Sequence, residues 1–143
     1  MERILVVDDD RSTRHLIRLQ LRGAGYTVET AADGAAALDH VRRKKFDLVL
    51  LDVWMPGMDG LEVLARLRDE PSQPKVVVMT ADENSETFLR AIQGHAYRYV
   101  TKPVEPKQLL ELYLPLQPIN LQIRLIRRMP WVTLPTAYGF LLV

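Results

Sequence analysis

The chain reads as an α/β protein, a three-layer sandwich in which a five-stranded parallel sheet carries helices on both faces. Three observations lead there. Apolar runs rich in β-branched residues, such as Ile4-Leu5-Val6-Val7 and Val76-Val77-Val78-Met79, have the character of strands buried on both faces. Amphipathic segments with helix caps separate these runs. The regular alternation of the two calls for right-handed crossovers and a parallel sheet.

The elements follow in order. The first strand is predicted over about 3–8. The first helix covers 11–23, with Leu16, Ile17, Leu19 and Leu21 apolar among arginines, and Gly23 and Gly25 stop it. A second strand lies at about 26–30. Asp33 caps a helix over 34–43, whose basic end, Arg42-Arg43-Lys44-Lys45, suits the negative pole of the helix dipole. The third strand, about 47–51, leads into a Met55-Pro56-Gly57 loop, and Asp59 caps a helix over 60–68. Pro71 and Pro74 bracket the turn into the fourth strand, 76–79. A helix over 84–94 and a strand over 97–100 come next. A fifth helix starts near Pro106 and ends before Pro115.

Composition narrows the function. A chain of 143 residues, 48% hydrophobic and 26% charged, suits one globular domain. A net charge of +1 gives no global sign of nucleic acid or membrane as partner. With no cysteine there are no disulfides, thiolate metal sites or cysteine nucleophiles. No apolar run approaches the roughly 18 residues of a membrane span, and Met1-Glu2-Arg3 leads directly into a strand with no signal peptide. A cytoplasmic protein is expected, with no direct contact to nucleic acid or membrane. Residues 1–114 carry a net charge of −2, whereas 115–143 carry +3 with no acid and four of the nine prolines. The domain therefore ends near 114. The remainder is an atypical Pro-rich, apolar tail: a sheet-edge or dimer contact, a docking segment, or the product of a shifted reading frame, the last slightly preferred.

The chemistry lies where strands end. Asp8 and Asp9 follow the first strand, Asp52 ends the third, and Lys102 follows Tyr99-Val100-Thr101. Parallel strands finish on one edge, which in open α/β sheets is where ligands bind. Three carboxylates there suit a hard divalent cation, Mg²⁺ or Mn²⁺, which would relieve their mutual repulsion. One carboxylate can then attack phosphorus. Lys102 offers a compact charge and Thr80 a hydroxyl to phosphoryl oxygens.

These residues, with the runs Asp52-Val53-Trp54-Met55-Pro56-Gly57-Met58-Asp59-Gly60, Thr80-Ala81 and Thr101-Lys102-Pro103, resemble the receiver domain of two-component response regulators over residues 1–114. The resemblance implies a phosphorylation-dependent switch with a CheY-like, flavodoxin-like fold. Asp52 would accept a phosphoryl group from a histidine kinase or histidine phosphotransfer protein. Asp8, Asp9, Asp52 and the Trp54 carbonyl would hold the metal. Lys102 would pair with the phosphoryl group, Thr80 and Tyr99 would switch, and the Lys102-Pro103 bond would be cis. Turnover would be limited to self-catalysed phosphotransfer and slow autodephosphorylation. A homodimer through the fourth helix, fifth strand and fifth helix is plausible on the same ground. Two departures stand out. Trp54 occupies a position that usually carries a smaller or more flexible side chain, and is expected to limit access of water to the phosphoryl group. His95 stands where glycine is frequent. The rivals are a degenerate receiver acting as a scaffold, a small aspartyl-phosphate phosphohydrolase, which would carry a second acid where Trp54 stands, and a flavodoxin-like cofactor binder. The last lacks its glycine-rich loop, since Asp9-Asp10-Arg11-Ser12 stands there.

Overall fold

A computed structural model describes residues 3–81, 85–105 and 107–108. Nine elements alternate through them: β1 (Arg3–Val7), α1 (Arg11–Gly23), β2 (Thr27–Ala31), α2 (Gly34–Arg43), β3 (Leu48–Asp52), α3 (Gly60–Arg68), β4 (Lys75–Thr80), α4 (Ser85–Gln93) and β5 (Arg98–Thr101). The strands form one parallel sheet in the order β2-β1-β3-β4-β5. The expected fifth helix and the tail over 115–143 lie outside the described residues.

Period-two alternation splits the sheet between two cores. Leu5, Val7, Val49, Leu51, Val76 and Val78 face α2 and α3 through Leu38, Val41, Val63, Leu64 and Leu67. Ile4, Val6, Leu48, Leu50, Val77 and Met79 face Ile17 and Leu21 of α1. Every residue of β3 is buried, as befits the central strand. The face of α1 is narrower than its sequence suggests: Ile17 and Leu21 are buried, whereas Leu16 and Leu19 are exposed.

Strand ends shift by a residue or two from the expected positions, most usefully at β3 and β4. Asp52 is the last residue of β3 and Thr80 the last of β4, so both belong to the ladder and not to loops. Gly23 stays inside α1, and Gly25, at φ 100°, makes the turn into β2. His95 follows α4 at φ 60°, a left-handed conformation that glycine adopts without strain. Asp10, Asp33 and Asp59 each cap a helix, accepting from the backbone N–H of Thr13, Ala36 and Glu62.

The turn from β3 into α3 brings two backbones into contact. The Gly60 N–H donates to the Val53 carbonyl at 2.8 Å. A Cβ at Gly60 would collide with the Asp52 carbonyl oxygen and lie 2.8 Å from Val53 Cα. Gly60→Ala is expected to destabilise the fold by roughly 3 kcal/mol, the upper range for overpacking. Chemical denaturation checks this, and an unchanged midpoint would mean that the turn yields without cost.

Candidate functional site

The register of the sheet assembles the site. Val7 is level with Leu51, Asp52 with Met79, and Thr80 with Thr101, so the residues after β1, at the end of β3 and β4, and after β5 share one edge. Asp8, Asp9 and Asp52 lie close enough that one carboxylate oxygen from each falls within 4.8 Å of the others. Asp8 and Asp52 are buried and Asp9 is exposed. Lys102 stands between the two buried acids, 2.5 Å from Asp8 Oδ2 and 3.1 Å from Asp52 Oδ1.

The polypeptide fixes both sides of this contact. The Asp10 N–H donates to Asp8 Oδ1 at 2.9 Å, and Arg14 Nη1 donates to the Asp8 carbonyl at 2.7 Å. Across the sheet, the Lys102 N–H donates to the Thr80 carbonyl at 2.6 Å, and the Lys102-Pro103 peptide is cis as expected. Thr80 is fully buried, and Tyr99 is half-buried against the α2–α3 core. Trp54, two residues beyond Asp52, is 58% exposed, so its ring faces solvent and not the core. His15, His40 and His95 take no part in the carboxylate cluster. Arg14 escaped the sequence reading, because an arginine on an exposed-looking helix gives no local sign that it reaches back to a carbonyl six residues earlier.

Burial pushes the Asp52 carboxyl up to about 6, the Asp8 charge adds to this, and Lys102 offsets part of it. Burial also favours the neutral amine of Lys102. The hydrogen bond to Asp8 and the charge of Asp52 outweigh it and hold the ammonium above its usual range. One lysine therefore leaves the acid cluster under-compensated. Three hard oxygen donors with unrelieved repulsion fit a divalent cation such as Mg²⁺, which takes carboxylates together with waters.

Among the described residues no helix is long and apolar enough to cross a membrane.

A parallel α/β sheet whose carboxyl edge gathers three aspartates, a lysine and a threonine defines a phosphoryl-handling signalling module. Comparison with known proteins agrees with this class. The model of the response regulator receiver domain matches residues 4–114. The DNA-binding response regulator MtrA of Mycolicibacterium smegmatis is 40% identical over 109 residues, which are 76% of this chain and 47% of that protein. The response regulator MprA of Mycobacterium sp. (strain KMS) is 42% identical over 108 residues, 76% of this chain and 47% of that protein. Among solved structures, the chemotaxis protein CheY4 of Vibrio cholerae superposes with a TM-score of 0.77 at 32% identity, covering 82% of this chain and 99% of that one. The response regulator TrrA of Thermotoga maritima, solved with Mg²⁺ and BeF, superposes with a TM-score of 0.73 at 36% identity, covering 82% and 100%. The chain belongs to the response regulator receiver domain family. It is a signalling module.

One expectation fails here. Composition gave no sign of nucleic acid, yet relatives such as MtrA are DNA-binding response regulators, and this chain spans just under half of their length. The charge of a chain that covers half of its relatives does not report what the other half touches. The accompanying expectation of a dimer through α4, β5 and a fifth helix depends on a helix outside the described residues.

Asp52 ties stability to pH. In the unfolded chain it ionises near 3.8, and in the folded state near 6. Between these values the folded protein retains a proton that the unfolded chain has lost, so stability falls as pH rises from about 4 to about 6. Asp52→Asn is expected to stabilise the metal-free protein by on the order of 3 kcal/mol at pH 7 and by nothing at pH 3.5. Thermal melts of both proteins across this range check it. A variant less stable than wild type at pH 7 would show that the Lys102 contact outweighs burial.

Proposed function

We propose that residues 1–114 form a receiver in which Asp52 accepts a phosphoryl group from a histidine kinase or histidine phosphotransfer protein. The observation that carries this reading is the buried Asp8–Lys102–Asp52 contact, with Asp9 completing a carboxylate cluster at the sheet edge. Asp52 Oδ attacks phosphorus as the bond from phosphorus to the donor imidazole nitrogen breaks, and the imidazole leaves with the electron pair. With its carboxyl near 6, Asp52 is mostly ionised at neutral pH and able to attack. Asp8, Asp9 and Asp52, with the Trp54 carbonyl, would hold Mg²⁺ or Mn²⁺. Bound there, the ion would neutralise the carboxylates and the charge developing on the phosphoryl oxygens.

The remaining roles fall to residues already at the edge. Lys102 moves from carboxylate to phosphoryl oxygen, a short shift for an ammonium on a flexible stem. The Thr80 hydroxyl donates to another oxygen, and Tyr99, packed at the border of the core, follows it and changes the output surface. The exposed Trp54 ring limits water at the phosphoryl group. Likeness to the MtrA relatives supports DNA binding as the output that the receiver controls.

Intact mass after incubation with acetyl phosphate tests the reading. One added phosphoryl group is expected, and it requires both Mg²⁺ and Asp52, so that chelator or Asp52→Asn abolishes it. Trp54→Ala is expected to lose the group faster than wild type, and the phosphorylated protein to be retained on DNA differently from the unmodified one. A folded protein that gains no mass would leave a scaffold as the better reading.

A further inference from the structure

Helix α1 is strongly basic along its whole length. Its first turn holds no acid, and its residues 11–23 carry Arg11, Arg14, Arg18 and Arg22 with no carboxylate among them. Cations near a helix N-terminus oppose the dipole, and local rules are most often broken where a site needs it. Three of these arginines lie together. Arg11, Arg14 and Arg18, with His15 and Thr30 of β2, line a cleft of about 190 Å³.

The charges in this cleft are uncompensated. Among the described residues, Arg11, Arg14 and Arg18 pair with no carboxylate, although Arg3, Arg42, Arg43, Arg66 and Lys44 all do. The nearest acids are otherwise engaged. Asp10 accepts from the Thr13 N–H and hydroxyl, Asp8 holds Lys102, and Glu29, which follows Val28 and precedes Thr30, meets Arg3, His40 and Lys44. Asp9 belongs to the carboxylate cluster. Among the described residues, Arg18 Nε is buried with no hydrogen-bond partner, and the guanidinium otherwise reaches His15 Nδ1, at 3.5 Å. A buried, unused guanidinium donor costs free energy unless something accepts from it. Arg14 is pre-organised by its bond to the Asp8 carbonyl.

We propose that this cleft is a binding site for a phosphate-class oxyanion, separate from the carboxylate edge. Guanidinium groups present planar donor pairs that match tetrahedral oxyanions, and three of them line this one cleft. The volume corresponds to about six waters, which suits a small phosphate and not a folded partner. Thr30 adds a hydroxyl beside the arginines. The anion is either the free ion or a phosphate carried on a small molecule.

Calorimetric titration of the chain with potassium phosphate, in chelator and against potassium chloride of equal ionic strength, tests the site. Saturable binding is expected, with a shift of the Arg18 Nε–Hε resonance. Arg18→Gln and Arg11→Gln are each expected to weaken it about tenfold, the worth of one charge-assisted hydrogen bond. Arg11 is exposed, so its variant keeps the test valid if the other fails to fold. Pyrophosphate and adenosine monophosphate distinguish the source: tighter binding than phosphate points to a carried group, and equal binding to the free ion. No saturation beyond the chloride control, or unaltered binding in the Arg11 variant, would overturn the site.

Discussion

The contact on which the molecule turns is the Lys102 ammonium held between the buried carboxylates of Asp8 and Asp52. Burying an ionised carboxylate is costly unless it is paired and hydrogen-bonded. Here two are buried side by side and share one cation. Everything around them serves that arrangement. Parallel pairing brings the ends of four strands level, the Asp10 N–H occupies the second oxygen of Asp8, and the Thr80 carbonyl fixes the backbone of Lys102. The compensation is incomplete: burial first, and the Asp8 charge after it, raise the Asp52 carboxyl, and Lys102 offsets only part of this. A site built this way is ready for a divalent cation and a phosphoryl group, because both supply charge that the polypeptide leaves unbalanced.

The same arrangement explains why the fold tolerates little freedom near the edge. Asp52 is a ladder residue whose carbonyl is crowded by Gly60, so the helix that follows is packed directly against the strand that carries it. Asp59 caps that helix one residue earlier. Motif residues between 52 and 60 thus divide between chemistry and backbone geometry: Asp52 for the first, Asp59 and Gly60 for the second. The solvent side is left to Asp9 and Trp54, which are exposed.

Much of this was legible in the sequence because it depends on strand ends. Buried runs such as Leu48–Leu51 announce themselves, and once they are read as parallel, Asp8, Asp52 and Lys102 must meet although 94 residues separate the first from the last. The caps at Asp33 and Asp59 were equally visible, as caps are local chemistry. Contacts that depend on side-chain reach were not. Nothing in the pattern of α1 distinguishes Arg14, which bonds the Asp8 carbonyl, from Arg22, or the buried Ile17 and Leu21 from the exposed Leu16 and Leu19. The end of the first helix at Gly23 was also legible, and Gly25 carries the left-handed turn that follows it. The exclusion of nucleic acid failed for a different reason, since net charge describes only the stretch of protein in which it is counted.

The central claim is that the carboxylate edge is electrostatically strained and that a cation relieves it. The most direct measurement is the titration of the Asp52 carboxyl carbon by NMR in ¹³C-labelled protein, without metal and with saturating Mg²⁺. A midpoint near 6 without metal, falling when Mg²⁺ is added, is the predicted result. A midpoint at the ordinary value of 3.8, or one that Mg²⁺ leaves unmoved, would contradict it.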